Sequence, residues 1–241
     1  MDRIQKGAVI GVGALGFAAL FARLGRSAPG IEPAAGHTGN PRTGRYMRLW
    51  NTYYITTSET DFARGTESPL YTSAGALIAN VSHAFAQDLF VEGAGFLADG
   101  RLLNVSGSCG RGDYFTVTAA IHGQQCYHVV NRAVAPWGLG GHSSPLVPLR
   151  TIAADRTVIP WGSKVYIAQF DGLAIPRIET AAGPIGGFVH NGCFVASDTG
   201  GAIGGAHIDI FAGSRSMMRV LERIYPTRTG LDAWVGSQGC G

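Results

Sequence analysis

Three aspartates stand in settings that could give them chemistry. Asp155 precedes Thr157-Val158-Ile159-Pro160, Asp198 precedes Thr199-Gly200-Gly201, and Asp209 lies between Ile208 and Ile210. A carboxylate inside an apolar strand is costly to bury as a charge unless it is paired or hydrogen-bonded. The two-residue period of a strand puts Ile208 and Ile210 on one face, and His207, Asp209 and Phe211 on the other. With the isoleucines toward the core, Asp209 points into whatever cleft or surface the other face lines. Partial desolvation there would raise its pKa toward what a general acid needs near neutrality. On a solvated edge strand the same residue is an ordinary surface charge, and the residue types alone leave both readings open.

Other chemistries find less support. No cysteine pair has metal-ligand spacing, so no metal site and no cofactor are expected. The basic residues are scattered and the net charge is only +3, which makes no nucleic-acid footprint, although it suits an anionic wall. Asp198-Thr199-Gly200 also resembles the active-site turn of aspartic proteases, but only one such triplet occurs and a protease would need a homodimer. A third reading has no catalysis: a carbohydrate-gripping barrel with Trp137, Trp161 and Tyr166 as stacking platforms.

The elements around these residues read as mainly β. The chain has 36 glycines without a fixed period, which argues for many tight turns rather than long helices. Residues 1–26 carry Arg3 and Lys6, then an uncharged apolar run from Gly7 to Ala22, then Arg23 and Arg26. That is the pattern of an export signal, either cleaved or kept as an N-terminal membrane anchor. Residues 27–45 read as a flexible linker, and folding is expected over 46–241. Met47 to Thr56 suits a strand. Ser73 to Leu89 is expected to be a helix capped by Ser73, since Leu77, Val81, Phe85 and Leu89 recur every four residues. Gly93 and Gly95 break the chain before a hairpin turn at Asp99-Gly100, and Tyr114 to Thr118 alternates as a strand. Thr157 to Pro160, a turn at 161–163, and Lys164 to Ala168 read as strand, turn, strand. Cys193 to Ser197 and His207 to Phe211 are strands around a glycine-rich loop at 200–205, and Ser214 caps an amphipathic helix. Cys109, Cys126, Cys193 and Cys240 allow three full pairings, and an exported chain is expected to form at least one disulfide.

Two stretches carry a family resemblance. Leu149-Arg-Thr-Ile-Ala-Ala-Asp-Arg-Thr-Val-Ile-Pro-Trp-Gly-Ser-Lys-Val-Tyr-Ile167 resembles the first half of the three-aspartate, or 3D, domain, and Phe194-Val-Ala-Ser-Asp-Thr-Gly-Gly-Ala-Ile-Gly-Gly-Ala-His-Ile-Asp-Ile-Phe211 its second half. The domain's three aspartates fall on Asp155, Asp198 and Asp209, and the match covers about 146–225. Val91-Glu-Gly-Ala-Gly-Phe-Leu-Ala-Asp-Gly-Arg101 is a weaker echo of a Gly-Ser-Gly segment in the same family, the membrane-bound lytic transglycosylases A.

The resemblance implies a double-psi β-barrel with a few decorating helices, acting on peptidoglycan glycan strands as a lytic transglycosylase. It implies Asp209 as the single catalytic acid/base, Asp198 as a group beside it, and Asp155 in a supporting or structural role. It places Thr199, Gly200, Gly201 and His207 against the sugar. The expected setting is the periplasm or cell envelope, and the expected state a monomer. One position departs from the pattern: Gly204 stands where the family usually has a lysine, which removes a group that could bind substrate or tune the acid.

Overall fold

A computed structural model describes residues 31–240, so the apolar segment and the start of the linker lie outside the described residues. In chain order the first elements are β1 (Arg45–Ile55), β2 (Thr57–Ser58), β3 (Glu67–Tyr71), β4 (Leu77–Ser82), α1 (His83–Glu92), β5 (Ala94–Phe96) and β6 (Leu102–Gly107). After them come β7 (Phe115–Thr116), β8 (His122–Gly123), β9 (Cys126–Val130), β10 (Thr151–Ala154) and β11 (Lys164–Ile175). The chain ends with β12 (Phe188–Asp198), β13 (His207–Gly213), α2 (Arg215–Ile224) and β14 (Gly230–Val235).

Six strands close a barrel in the order β1-β13-β10-β12-β11-β14. The β1–β13 and β10–β12 pairs are parallel and the rest antiparallel, the crossed connectivity expected of the double-psi barrel. β1 shows why the wall forms. Its odd-numbered residues Leu49, Asn51, Tyr53 and Ile55 are buried, while Trp50 and Thr52 on the opposite face stay partly open, so one face packs the core and the other presents polar and aromatic groups. Ile208 and Ile210 of β13 meet that core face opposite Asn51 and Tyr53, with Ile152, Phe194 and Leu231 in the same cluster.

Between β1 and β10 the chain builds a second lobe. A sheet of order β2-β5-β6-β9, two hairpins and α1 enclose a separate core of Leu70, Val81, Phe85, Leu89, Phe115 and Tyr127. The described residues from Arg45 on thus form a barrel with a separately cored insertion. The lobe is tied back where Arg215, at the start of α2, donates to Asp88 of α1 at 2.6 Å.

Several local expectations change. Leu77–Ser82 is strand, and the helix starts only at His83 with Ser82 as its cap, its hydroxyl accepting from the Phe85 N–H. The four-residue apolar spacing is real, but pairing of β4 with β3 overrides it, and Leu77 is left 54% exposed. Gly93 ends the helix at φ 76°, a left-handed turn that glycine takes without strain. Residues 157–160 are not a strand: the N–H groups of Val158 and Ile159 both donate to the Asp155 carbonyl in a tight turn, and the strand lies earlier, at β10. The Tyr114–Thr118 strand shrinks to Phe115–Thr116. Residues 31–44, read from the sequence as linker, run along the barrel, with the Glu32 N–H donating to Gly187 O at 2.6 Å and Ser237 Oγ donating to Pro41 O at 2.6 Å. An open strand edge offers backbone groups that an adjacent extended segment can satisfy.

Two disulfides form, Cys109–Cys126 within the lobe and Cys193–Cys240 between β12 and the C-terminal segment. The second closes a span of 47 residues. By chain entropy its removal is expected to lower stability by about 4 kcal/mol, and that of the shorter bridge by about 3 kcal/mol. Urea titration of the paired Cys→Ser variants checks this, and equal wild-type stability would refute it.

Candidate active site

Asp209 sits at the centre of β13, opposite Thr52 of β1 and Ala153 of β10. The Thr52 hydroxyl donates to Asp209 Oδ1 at 2.7 Å. Burial pushes the Asp209 carboxyl up to about 7; the Thr52 bond pulls it down, and the nearby charge of Asp198 raises it further. Two residues earlier on the same face, His207 lies flat on Trp50, with ring centroids 3.7 Å apart and planes 5° from parallel. Its Nε2 is 2.8 Å from the Thr52 hydroxyl.

Asp198 ends β12 and is held from three sides. Oδ2 accepts from the Tyr54 phenol at 2.7 Å, while Oδ1 accepts from the N–H of Gly141 at 2.9 Å and of Thr199 at 2.7 Å. Burial raises its pKa, and these three donors pull it back. Tyr54 is itself pushed well above its usual value, first by burial and then by the Asp198 charge. The loop bringing Gly141 in is tight. A Cβ on Gly140 would lie 2.9 Å from Ser197 O and 3.0 Å from Asp198 Cγ, so the chain passes here only without a side chain.

Asp155 is apart from these two. It is partly exposed; Oδ1 accepts from the Thr157 N–H and hydroxyl, and Oδ2 accepts from the Gly205 N–H at 2.9 Å. The Thr157 hydroxyl and then these N–H groups hold its pKa below the usual carboxylate range. Its position is that of a clasp between the turn after β10 and the glycine-rich loop. In that loop Thr199, Gly200 and Gly201 are exposed. Gly200 leaves no room for a side chain beside Ile203, whereas a Cβ on Gly201 or Gly204 would meet open space. Trp137 is 7% exposed and Tyr166 2%, so neither offers a ring face for stacking, and Trp161 lies edge-on to His142. Among the described residues no cluster of His, Cys, Asp or Glu is placed to hold a metal ion.

Sequence reasoning missed Thr52, Tyr54, Trp50, Gly141 and Glu92. Glu92, the last residue of α1, accepts the Ile55 N–H at 2.8 Å and is raised to about 8, chiefly by burial and then by the charges of Asp88 and Asp209. The alternation Trp50, Thr52, Tyr54 on a strand already recognised was the available signal for the first three. Nothing local marked the others.

A closed six-stranded barrel with two parallel pairs and a half-buried aspartate on one strand defines the class. Residues 150–221 match the family model of the 3D domain. That segment is similar to the 3D domain, and the fold of the chain resembles that of the lytic transglycosylase MltA. The crystal structure of Escherichia coli MltA with bound chitohexaose is similar at TM-score 0.51 and 20% identity, over 78% of this chain and 71% of that one. The membrane-bound lytic murein transglycosylase from Agrobacterium tumefaciens aligns at TM-score 0.46 and 14% identity, over 79% of this chain and 73% of that one. A comparison with curated proteins by sequence finds no match.

Proposed function

We propose that the protein is a peptidoglycan lytic transglycosylase that cleaves the β-1,4 bond between N-acetylmuramic acid and N-acetylglucosamine, forms a 1,6-anhydro ring, and acts in cell-wall turnover. The observation that carries this reading is the state of the carboxyls. Asp198 is held by three donors, whereas Asp209, at the centre of β13, accepts from the Thr52 hydroxyl and is pushed up to about 7 by burial, into the range a general acid uses. Ordinary glycosidases need two carboxylates because water or an enzyme nucleophile must be handled on the opposite face of the sugar. An internal 6-hydroxyl is already at high effective concentration, so one carboxyl suffices. Asp209 first protonates the glycosidic oxygen as the bond to the anomeric carbon breaks. Its carboxylate then takes the 6-hydroxyl proton as that oxygen closes on the anomeric carbon. Asp198, fixed in place, steadies the positive charge that develops between these steps.

The MltA structure with chitohexaose supports a glycan as the ligand. The disulfides and the apolar N-terminal segment support export to the envelope, with that segment as signal or anchor. Digestion of purified sacculi tests the reading. Anhydro-muropeptides are expected; new reducing ends would make the protein a hydrolase, and binding without release a wall-binding module.

A further inference from the structure

One oxygen in the site has two partners. Thr52 Oγ1 lies 2.7 Å from Asp209 Oδ1 and 2.8 Å from His207 Nε2. A hydroxyl has one hydrogen to give and two lone pairs to accept with. It can donate to only one of these neighbours at a time. Asp209 changes its side of the bond with its protonation state, since a carboxylic acid donates and a carboxylate only accepts. His207 cannot swing away: it is buried, and its ring is stacked on Trp50. With the ring hydrogen on Nδ1, its bare Nε2 faces the Thr52 hydroxyl as an acceptor. The four side chains form one block across the parallel pair, with Trp50 opposite His207 and Thr52 opposite Asp209 in register.

We propose that the Thr52 hydroxyl is a toggle serving both states of Asp209, accepting from the acid and donating to the carboxylate, with His207 taking the hydroxyl hydrogen while Asp209 is an acid. The proposal rests on the lytic reading, in which one carboxyl is acid and then base. In the acid state Asp209 Oδ1–H donates to Thr52 and the Thr52 O–H donates to His207 Nε2. For transfer the Asp209 O–H turns from Thr52 to the glycosidic oxygen; its proton passes there, that oxygen leaves with the bonding pair, and the Thr52 hydroxyl turns to the new carboxylate. When the carboxylate takes the proton of the 6-hydroxyl, the first arrangement returns. No proton travels through Thr52 or His207; the Thr52 hydroxyl and the Asp209 O–H each rotate. Both are positioning residues.

The other groups facing this block are Asp198 at the end of β12, Glu92 at the end of α1 and the Tyr54 phenol on β1, which act on or are acted on by Asp209, and Arg228, which faces His207. All stay in place in the variants that test the toggle. The experiment is a carbon-13 NMR titration of the Asp209 carboxyl in the whole protein, with the pH profile of anhydro-product release followed in parallel. Thr52→Val deprives the carboxylate of a donor, so the Asp209 midpoint should rise. His207→Phe keeps the stacked ring but leaves the hydroxyl hydrogen only Asp209 to bond, so the midpoint should fall. Each shift should be about one pH unit, the worth of one net hydrogen bond. Thr52→Ser should stay near wild type, and Thr52→Ala replaces Thr52→Val should the latter not fold. The high-pH limb of product release should move in the same directions. Shifts of the same sign in both variants, or none, with wild type still forming anhydro product, would overturn the toggle and spare the lytic reading. Opposite shifts in a protein that forms no anhydro product would uphold the toggle and overturn that reading.

Discussion

Asp209→Asn is expected to give a folded protein that releases anhydro-muropeptides slower by about 10²–10⁴-fold, or more, because the proposed mechanism gives both proton transfers to this one group. The amide keeps the shape and still accepts from Thr52, but has no proton to give. The same variant should be more stable than wild type above neutrality. The unfolded carboxyl titrates near 3.9, while the folded one is held up at about 7 by burial. Between these values the folded state keeps a proton that the unfolded state has lost, so wild-type stability falls as pH rises from about 4 to about 7. The full effect is at most about 4 kcal/mol, and less for the part of the carboxyl open to water. Asparagine removes it. Melting temperatures at pH 8 should favour the variant, and the gap should close at pH 4. Near wild-type turnover in a folded Asp209→Asn protein would remove Asp209 from the chemistry.

Asp198→Ala should be the more damaging change to the fold. It strips the acceptor from the Tyr54 phenol and from the N–H groups of Gly141 and Thr199 at once. Buried donors left without partners cost about 1–3 kcal/mol each, and with Thr199 able to turn to water the expected loss is about 2–4 kcal/mol. Asp198→Asn should keep most of that stability, because its oxygen can still take both N–H groups and its amide can face the phenol oxygen. It should still lose about 10²-fold in turnover through the missing charge beside the anomeric carbon. Thermal melts and turnover of the two variants separate these effects. An alanine variant that melts with wild type, or an asparagine variant as slow as Asp209→Asn, would contradict the assignment.

What could be read from the sequence was whatever depends on near neighbours. The isoleucines flanking Asp209 fixed its face, and Ser214 with Met217 and Leu221 marked α2, where the Ser214 hydroxyl accepts from the Met217 N–H as a cap should. The partners of the acids were not legible, because the register between β1 and β13 sets them. Thr52 is 157 residues from Asp209 and Tyr54 is 144 from Asp198. Glu92 lay inside a stretch singled out for its glycines, yet its burial depends on an N–H 37 residues away. The 73–89 segment misled because a spacing of four fits a helix until β3 offers its backbone to Leu77–Ser82. Asp155 was read as a supporting or structural residue, but its hold on Gly205 across 50 residues was not legible.

The placement of β1 also bears on how the chain folds. Its two barrel neighbours are β13 and β14, so Trp50 waits for His207 and Gly230 before either edge of the strand is covered. The inserted lobe needs no such wait, since most of its pairings run between β3 and β4, β5 and β6, and β6 and β9. Contacts so distant in sequence make barrel closure slow and late. A nascent or newly translocated chain should therefore carry a formed lobe while β1 still presents open edges and the aromatic run Trp50, Tyr53 and Tyr54 to any other chain nearby.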